Sequence, residues 1–250
     1  MAKQKKHLNY NPSKQKHRLD QRLVDAQLVV DLDQARRLIM AGQVLVDDRP
    51  INQPGVAIPT TASLRLREQE SPWVSRGGLK LAHALEQWPI HVAGSVCLDI
   101  GSSTGGFCDV LLSQGATRVF AVDVGYGQLA WKLRQDPRVI NLERTNVRHL
   151  NQNQIPETVD LLTMDVSFLS LRKALAAVIP FLNSSGRIIA LLKPQFELPR
   201  TSIPEGGVVT DAALHDEAAD LIRSSLPALN LEEIGFTPSP ILGPKGNREF

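Results

Sequence analysis

From residue 95 onward, short runs rich in Val, Ile and Leu alternate with amphipathic stretches, and that alternation leaves few folds open. VCLDI (96–100), RVFAVDV (118–124), RVINLE (138–143), DLLTMDV (160–166) and GRIIALLKP (186–194) read as buried strands. Between and after them, GFCDVLLSQ, GQLAWKLRQ, LRKALAAVIPFL and AALHDEAADLIRSSL carry helical spacing. A strand–helix repeat of this kind predicts an α/β fold, doubly wound and Rossmann-like, around a mostly parallel sheet. The end, LEEIGFTPSPILGPKGNREF, has room for one further strand and the start of another.

The first third of the chain follows a different pattern. RLDQRLVDAQL places Leu19, Leu23 and Val24 on one helical face. Asp31 or Asp33 can cap a second helix that stops at Gly42, and QVLVDDRPINQPG alternates about a turn at Asp47-Asp48. These signals predict a small α+β unit over 17–71, preceded by a flexible basic arm (1–16). A linker (72–79) would follow it and lead to the larger domain (80–250).

Charge separates the same two regions. Residues 1–80 hold fourteen Lys/Arg against eight Asp/Glu, whereas 81–250 hold fourteen against eighteen, for an overall formal charge of +2. A basic front on an acidic body predicts a polyanionic partner at the N-terminal end. No apolar run approaches the roughly 20 residues that span a bilayer, and no apolar core follows the basic start as a secretory signal requires. Cys97 and Cys108 lack metal-ligand spacing and read as buried thiols of a cytoplasmic protein without a metal site.

The Asp99–Gly106 segment, DIGSSTGG, lies between a strand and a helix, where parallel sheets bind nucleotides. Gly101, Gly105 and Gly106 allow a tight turn and close approach. Asp123 ends the next strand, placed to accept hydrogen bonds from ribose hydroxyls. Such a layout serves either a dinucleotide or S-adenosylmethionine. The dinucleotide fingerprint wants a middle glycine against the pyrophosphate, and here that residue is Ser103. S-adenosylmethionine has no pyrophosphate, so the spacing favours the methyl donor.

Asp165 and Lys193 end the fourth and fifth predicted strands, on the same carboxyl edge. Buried charges beside a cofactor are costly unless paired, and a positioned Lys can act as a base. With Lys80 in WVSRGGLKL, Asp165 in MDVSFLSL, Lys193 in LLKPQFE and Glu249 in GNREF, the chain resembles the FtsJ-like ribose 2′-O-methyltransferases and their Lys-Asp-Lys-Glu tetrad. Within that family it resembles the TlyA branch, often labelled haemolysin A, through DIGSSTGGF, DVGYGQLAWKLR, GGVV and GNREF. Residues 18–55 resemble that branch's N-terminal S4 domain.

The resemblance implies ribosomal RNA, or ribosomal subunits, as partner and a cytidine 2′-hydroxyl as target. It implies Lys193 as general base, Asp165 and Lys80 as its positioning partners, and Glu249 as an orienting group. Gly101, Ser103, Thr104, Gly105, Gly106, Asp123, Val124 and Asn146 would hold S-adenosylmethionine. Family members run on through a complete last strand, whereas this sequence stops one residue after Glu249; if the end is truncated, Glu249 is expected to be poorly held and its role is in doubt. Arg18, Arg22, Arg36 and Arg37 suit phosphate contacts from the S4-like helices, and Arg76 touches RNA or braces the two domains. Trp73 and Trp131 either stack on bases or pack internally. The competing readings are an RNA-binding or assembly module with a silent second domain, a membrane-active haemolysin, and an NAD enzyme.

Overall fold

The computed structural model describes residues 16–29, 31–40, 42–66 and 71–250; all but the last residue of the expected arm lies outside them. Two compact units divide at Glu70/Ser71.

In the first unit, helices α1 (Leu19–Asp25) and α2 (Leu32–Met40) bury Leu19, Leu23, Ala35 and Ile39 against one another and against Val44 and Val46. Asp31 caps α2, its carboxylate accepting from the Gln34 amide at 2.7 Å. Strands β2 (Val44–Val46) and β3 (Arg49–Ile51) form the expected hairpin. Asp47 (φ 47°) and Asp48 (φ 63°) both adopt the left-handed conformation, as a two-residue turn matched to strand twist requires. Two pairings have no local sequence signal. Strand β1 (Lys16–Arg18) pairs antiparallel with β4 (Ala57–Pro59), and β5 (Leu64–Leu66) pairs with β2.

The second unit is built on β6 (Val96–Ile100), β7 (Arg118–Val122), β8 (Val139–Leu142), β9 (Val159–Met164) and β10 (Leu182–Ala190). They form one parallel sheet in the order β10-β9-β6-β7-β8. Period-two alternation divides its side chains between two faces. Leu98, Ile100, Phe120, Val122, Leu162 and Met164 pack on α6 (Leu171–Val178) and α8 (Ala212–Arg223). Cys97, Val119, Ala121 and Leu161 pack beneath α3 (Gly78–Gln87) and α4 (Gly106–Ser113).

Several expectations need correction. The segment read as a linker carries the start of α3, and Trp73 and Val74 pack against the core beneath it. The helix expected over 127–135 is a single turn, α5 (Trp131–Arg134). The fifth strand ends at Ala190, so Lys193 lies beyond it, as the N-terminal cap of the short helix α7 (Pro194–Glu197). Among the described residues no strand follows β10. Residues 231–240 contain Pro238 and Pro240, which lack the amide a ladder needs.

Candidate active site

Strand β6 lies between β7 and β9, so the sheet changes direction of growth there. Loops leaving β6 and β9 diverge at such a switch point and open a crevice at the carboxyl edge. Gly101 and Ser102 both donate their amides to the Val122 carbonyl (2.8 and 3.1 Å), and the Asp165 amide donates to Ile100 (2.9 Å). The glycine loop is thereby tied to the strands on either side. Gly101 has φ 81°, and a Cβ there would stand 2.4 Å from the Asp165 carbonyl oxygen. Glycine at 101 is what lets the two loops meet.

Asp123 sits one residue past β7. Its carboxylate accepts from the Ser103 amide (2.8 Å) and the Gly125 amide (2.7 Å). Ser103 has φ 49°, so it keeps a glycine-like backbone at the position where the dinucleotide fingerprint would have glycine. Val124 is 70% exposed beside Asp123. Asn146 follows Thr145, whose amide donates to the Asp123 carbonyl, and its side chain accepts from the Arg148 amide. Gly105 and Gly106 are buried, where side chains of α5 and the start of α3 come close. Arg76, Lys80, Gly101, Ser103, Thr104 and Asp165 line one cavity of about 270 Å³. Trp131 lies outside it and is 71% exposed.

The four residues of the expected tetrad form a continuous chain of charges. Glu249 pairs with Lys80 (2.6 Å), Lys80 with Asp165 (3.3 Å), and Asp165 with Lys193 (2.6 Å). The Lys193 ammonium also donates to the Ser167 hydroxyl at 2.9 Å. Both lysine side chains are under a tenth exposed and Glu249 is buried. Two cations and two anions cancel, which is the condition for burying such groups together. Glu249 is not loosely held. Its carbonyl accepts from the Ser239 amide, and the next residue, Phe250, exchanges two backbone hydrogen bonds with Leu192 (2.7 and 2.9 Å). That exchange brings Glu249 and Lys193 to the same place.

Beneath the glycine loop, Asp99 is fully buried and accepts from the Thr163 hydroxyl (2.8 Å) and the Cys108 thiol (3.1 Å). Burial pushes its carboxyl up to about 6, against the pull of those two donors. Burial likewise pushes the Cys97 thiol up to about 12. Both cysteines are free and buried, as expected from the sequence.

In the first unit the expected RNA-facing arginines have unequal roles. Arg22 donates to the Pro59 carbonyl (2.9 Å), with a longer contact to Ala62 (3.4 Å), and so braces its own fold. Arg18 grips the buried Asp20 with two hydrogen bonds (3.0 and 2.6 Å), and Arg36 approaches the same carboxylate at 3.5 Å. Arg37 is exposed. The sequence reading missed Asp20, Ser167 and Glu197. An acid flanked two residues away by Arg18 and Arg22 was the only local hint for the first, and the other two have none.

Among the described residues no helix is long and apolar enough to cross a membrane, and no cluster of metal-ligating side chains occurs. The FtsJ-like methyltransferase family matches residues 73–250 and the S4 domain family matches 18–60. A 16S/23S rRNA (cytidine-2′-O)-methyltransferase, TlyA, of Mycobacterium tuberculosis is 44% identical, over 93% of this chain and 87% of its own. The putative rRNA methyltransferase YqxC of Bacillus subtilis is 42% identical, over 94% and 84%. The solved structure of a putative hemolysin from Streptococcus thermophilus superposes with a TM-score of 0.73 at 38% identity, covering 94% of this chain and 86% of that one. The chain belongs to the FtsJ-like methyltransferases, in the TlyA branch that carries an S4 domain ahead of the catalytic domain.

Proposed function

We propose that this protein methylates a cytidine ribose 2′-hydroxyl of ribosomal RNA, with S-adenosylmethionine as donor. The observation that carries the reading is the Glu249–Lys80–Asp165–Lys193 chain of charges at the switch point, next to the glycine loop. The loop residues fit the donor. The Asp123 carboxylate retains acceptor capacity for two ribose hydroxyls, Val124 offers an exposed apolar surface to an adenine ring, and Gly101 keeps the loop low over Asp165. When bound, S-adenosylmethionine supplies an electrophilic methyl group on a positively charged sulfur.

The protein's residues orient the hydroxyl and take its proton. Lys193, as the neutral amine left once its ammonium has given a proton to solvent, accepts the hydroxyl proton as the new bond forms, Asp165 holds Lys193 in place, and Lys80 with Glu249 holds Asp165. Arg76 lines the same cavity and suits a phosphate next to the target ribose. Arg18, Arg36 and Arg37 give the S4 unit its RNA-facing charge. A ribosomal RNA substrate puts this work in the cytoplasm.

The test is transfer of labelled methyl from the donor to purified ribosomal subunits and to naked ribosomal RNA, with mapping of the modified nucleotide. A positioned base contributes about 10²–10⁴-fold. Lys193→Ala should therefore lose detectable transfer while still binding donor. Lys193→Arg should fail nearly as badly, because a guanidinium does not give up its proton. Near-normal single-turnover rates in the arginine variant would leave Lys193 a positioning charge only. Label on a base, or on no ribosomal RNA at all, would refute the activity.

A further inference from the structure

Asp165 is the first residue of a loop that runs to the start of α6, and the middle of that loop is strained. Phe168, a bulky residue, has φ 62° and is 91% exposed. Left-handed backbone at such a residue persists only where the surroundings over-determine it. Three side chains from one turn of chain supply that restraint. Lys193 takes the beginning of the loop, through Asp165 (2.6 Å) and Ser167 (2.9 Å). Phe196 packs its ring on Phe168, centroids 5.2 Å apart. Glu197 takes the end, accepting from the Ser170 hydroxyl (2.7 Å) and the Leu171 amide (2.5 Å), with Arg172 at 3.9 Å.

The Glu197 side chain is only 2% exposed. It does what the cap residue Ser170 normally would. The Ser170 side chain makes no cap bond of its own to α6, and the carboxylate from a segment 26 residues on binds the first helical amide instead. A helix cap could be supplied locally by Ser170. Supplying it from α7 ties both ends of the Asp165 loop to the same short helix, whose own cap residue is Lys193.

We infer that Glu197 is a positioning residue for methyl transfer: by fixing the far end of the Asp165–Ser170 loop to α7, it sets the distance between Asp165 and Lys193. This rests on the methyltransferase reading above. Glu197 touches neither donor nor RNA in this account, so its removal should alter turnover and leave donor affinity alone. Displacement of a catalytic group by about 1 Å costs on the order of 10²-fold in rate.

The experiment compares Glu197→Ala, Glu197→Gln and Ser170→Ala with the parent, using full-length protein and purified ribosomal subunits as substrate. Single-turnover rates at saturating donor and RNA are read beside calorimetric donor affinity and melting temperature. Glu197→Ala should fall about ten- to a hundredfold in rate with donor affinity within about threefold of the parent. Glu197→Gln, which keeps an acceptor for the Leu171 amide, should recover most of the rate. Ser170→Ala should lose a few-fold. If Glu197 is only a helix cap, the alanine variant melts lower but turns over within about twofold of the parent, and the inference is wrong. A parallel loss of donor affinity also overturns it. Should Glu197→Ala not fold, an unchanged rate in Ser170→Ala overturns it equally. A parent inactive on all ribosomal RNA removes the reading and this inference together.

Discussion

Replacing Gly101 with alanine tests whether the seam between the glycine loop and Asp165 is as tight as its geometry says. Two costs apply at position 101. The backbone has φ 81°, and a residue with a Cβ pays about 1–2 kcal/mol in that region. The new Cβ would also lie 2.4 Å from the Asp165 carbonyl oxygen and 2.9 Å from its carbon. Both are backbone atoms that cannot rotate aside, and overpacking of this kind costs about 1–3 kcal/mol. The sum is about 2–5 kcal/mol. Gly94 is a matched control, because it has φ 80° with nothing within 4 Å of an added Cβ. Gly94→Ala should cost only the first part. For a chain of 250 residues each kcal/mol lowers the melting temperature by roughly 2–4 °C. Calorimetric scans of both variants at one pH therefore measure the clash as a difference, about 2–12 °C further loss for Gly101→Ala. The clash must be relieved by moving Asp165 away from Gly101, so Gly101→Ala should also drop at least about tenfold in single-turnover rate, with Gly94→Ala near the parent. Equal melting temperatures and equal rates in the two variants would refute the reasoning.

Two predictions concern acids to which the sequence alone assigned no role. Burial raises the Asp99 carboxyl to about 6, so the folded state holds its proton longer than the unfolded chain does. Its contribution to stability is then lost as pH rises from about 4 to about 6, on the order of 3 kcal/mol. Asp99→Asn should gain stability relative to the parent across that window in denaturant titrations, and a difference independent of pH would contradict the assignment. Asp20 is lowered, chiefly by the hydrogen bond from Arg18. Its contribution is present at neutral pH and lost as pH falls through its depressed folded value. Asp20→Asn removes a negative charge yet should weaken RNA binding in salt titrations, because Arg18 and Arg36 lose the carboxylate that orients them. Tighter binding would show that their net charge alone matters.

The parallel sheet, its glycine turn and the placing of Asp165 and Lys193 at one edge were legible because each depends on a short local pattern, whereas Lys80 and Glu249 entered only through the resemblance to the FtsJ-like family. Strand periodicity fixes which end of β6 and β9 carries Asp99 and Asp165, and a parallel sheet brings those ends to one edge. The parts that were not legible depend on partners far away along the chain. Arg22 looks like a surface cation until its guanidinium meets carbonyls 37 and 40 residues on. The start of α3 looks like a loop because it falls on Gly77-Gly78. In the structure a Cβ on Gly78 would fall within 2.5 Å of the Trp73 ring, so that glycine serves packing. The predicted final strands failed for the opposite reason. LEEIGF has strand-like composition, but Pro238 and Pro240 interrupt the donors that would extend it. Phe250 makes a strand-like exchange of backbone bonds with Leu192, without extending into a strand.

The order of charges in the tetrad bears on which lysine handles the proton. Along Glu249–Lys80–Asp165–Lys193 the signs alternate, so the two lysines are not equivalent. Lys80 lies between two carboxylates, one of them buried, and taking its proton would leave both facing a neutral amine. A buried carboxylate without its partner is strongly unfavourable. Lys193 ends the chain and faces one carboxylate. Its second contact is the Ser167 hydroxyl, which can accept from an ammonium or turn and donate to a neutral amine. Proton exchange at Lys193 therefore leaves the Glu249–Lys80–Asp165 segment intact, whereas exchange at Lys80 disrupts it on both sides. The same asymmetry explains why the anchoring bonds cluster where they do. Phe250 pins Leu192 directly before Lys193, and Glu197 holds the loop that carries Ser167, so the restraints converge on the end of the chain that carries the proposed base.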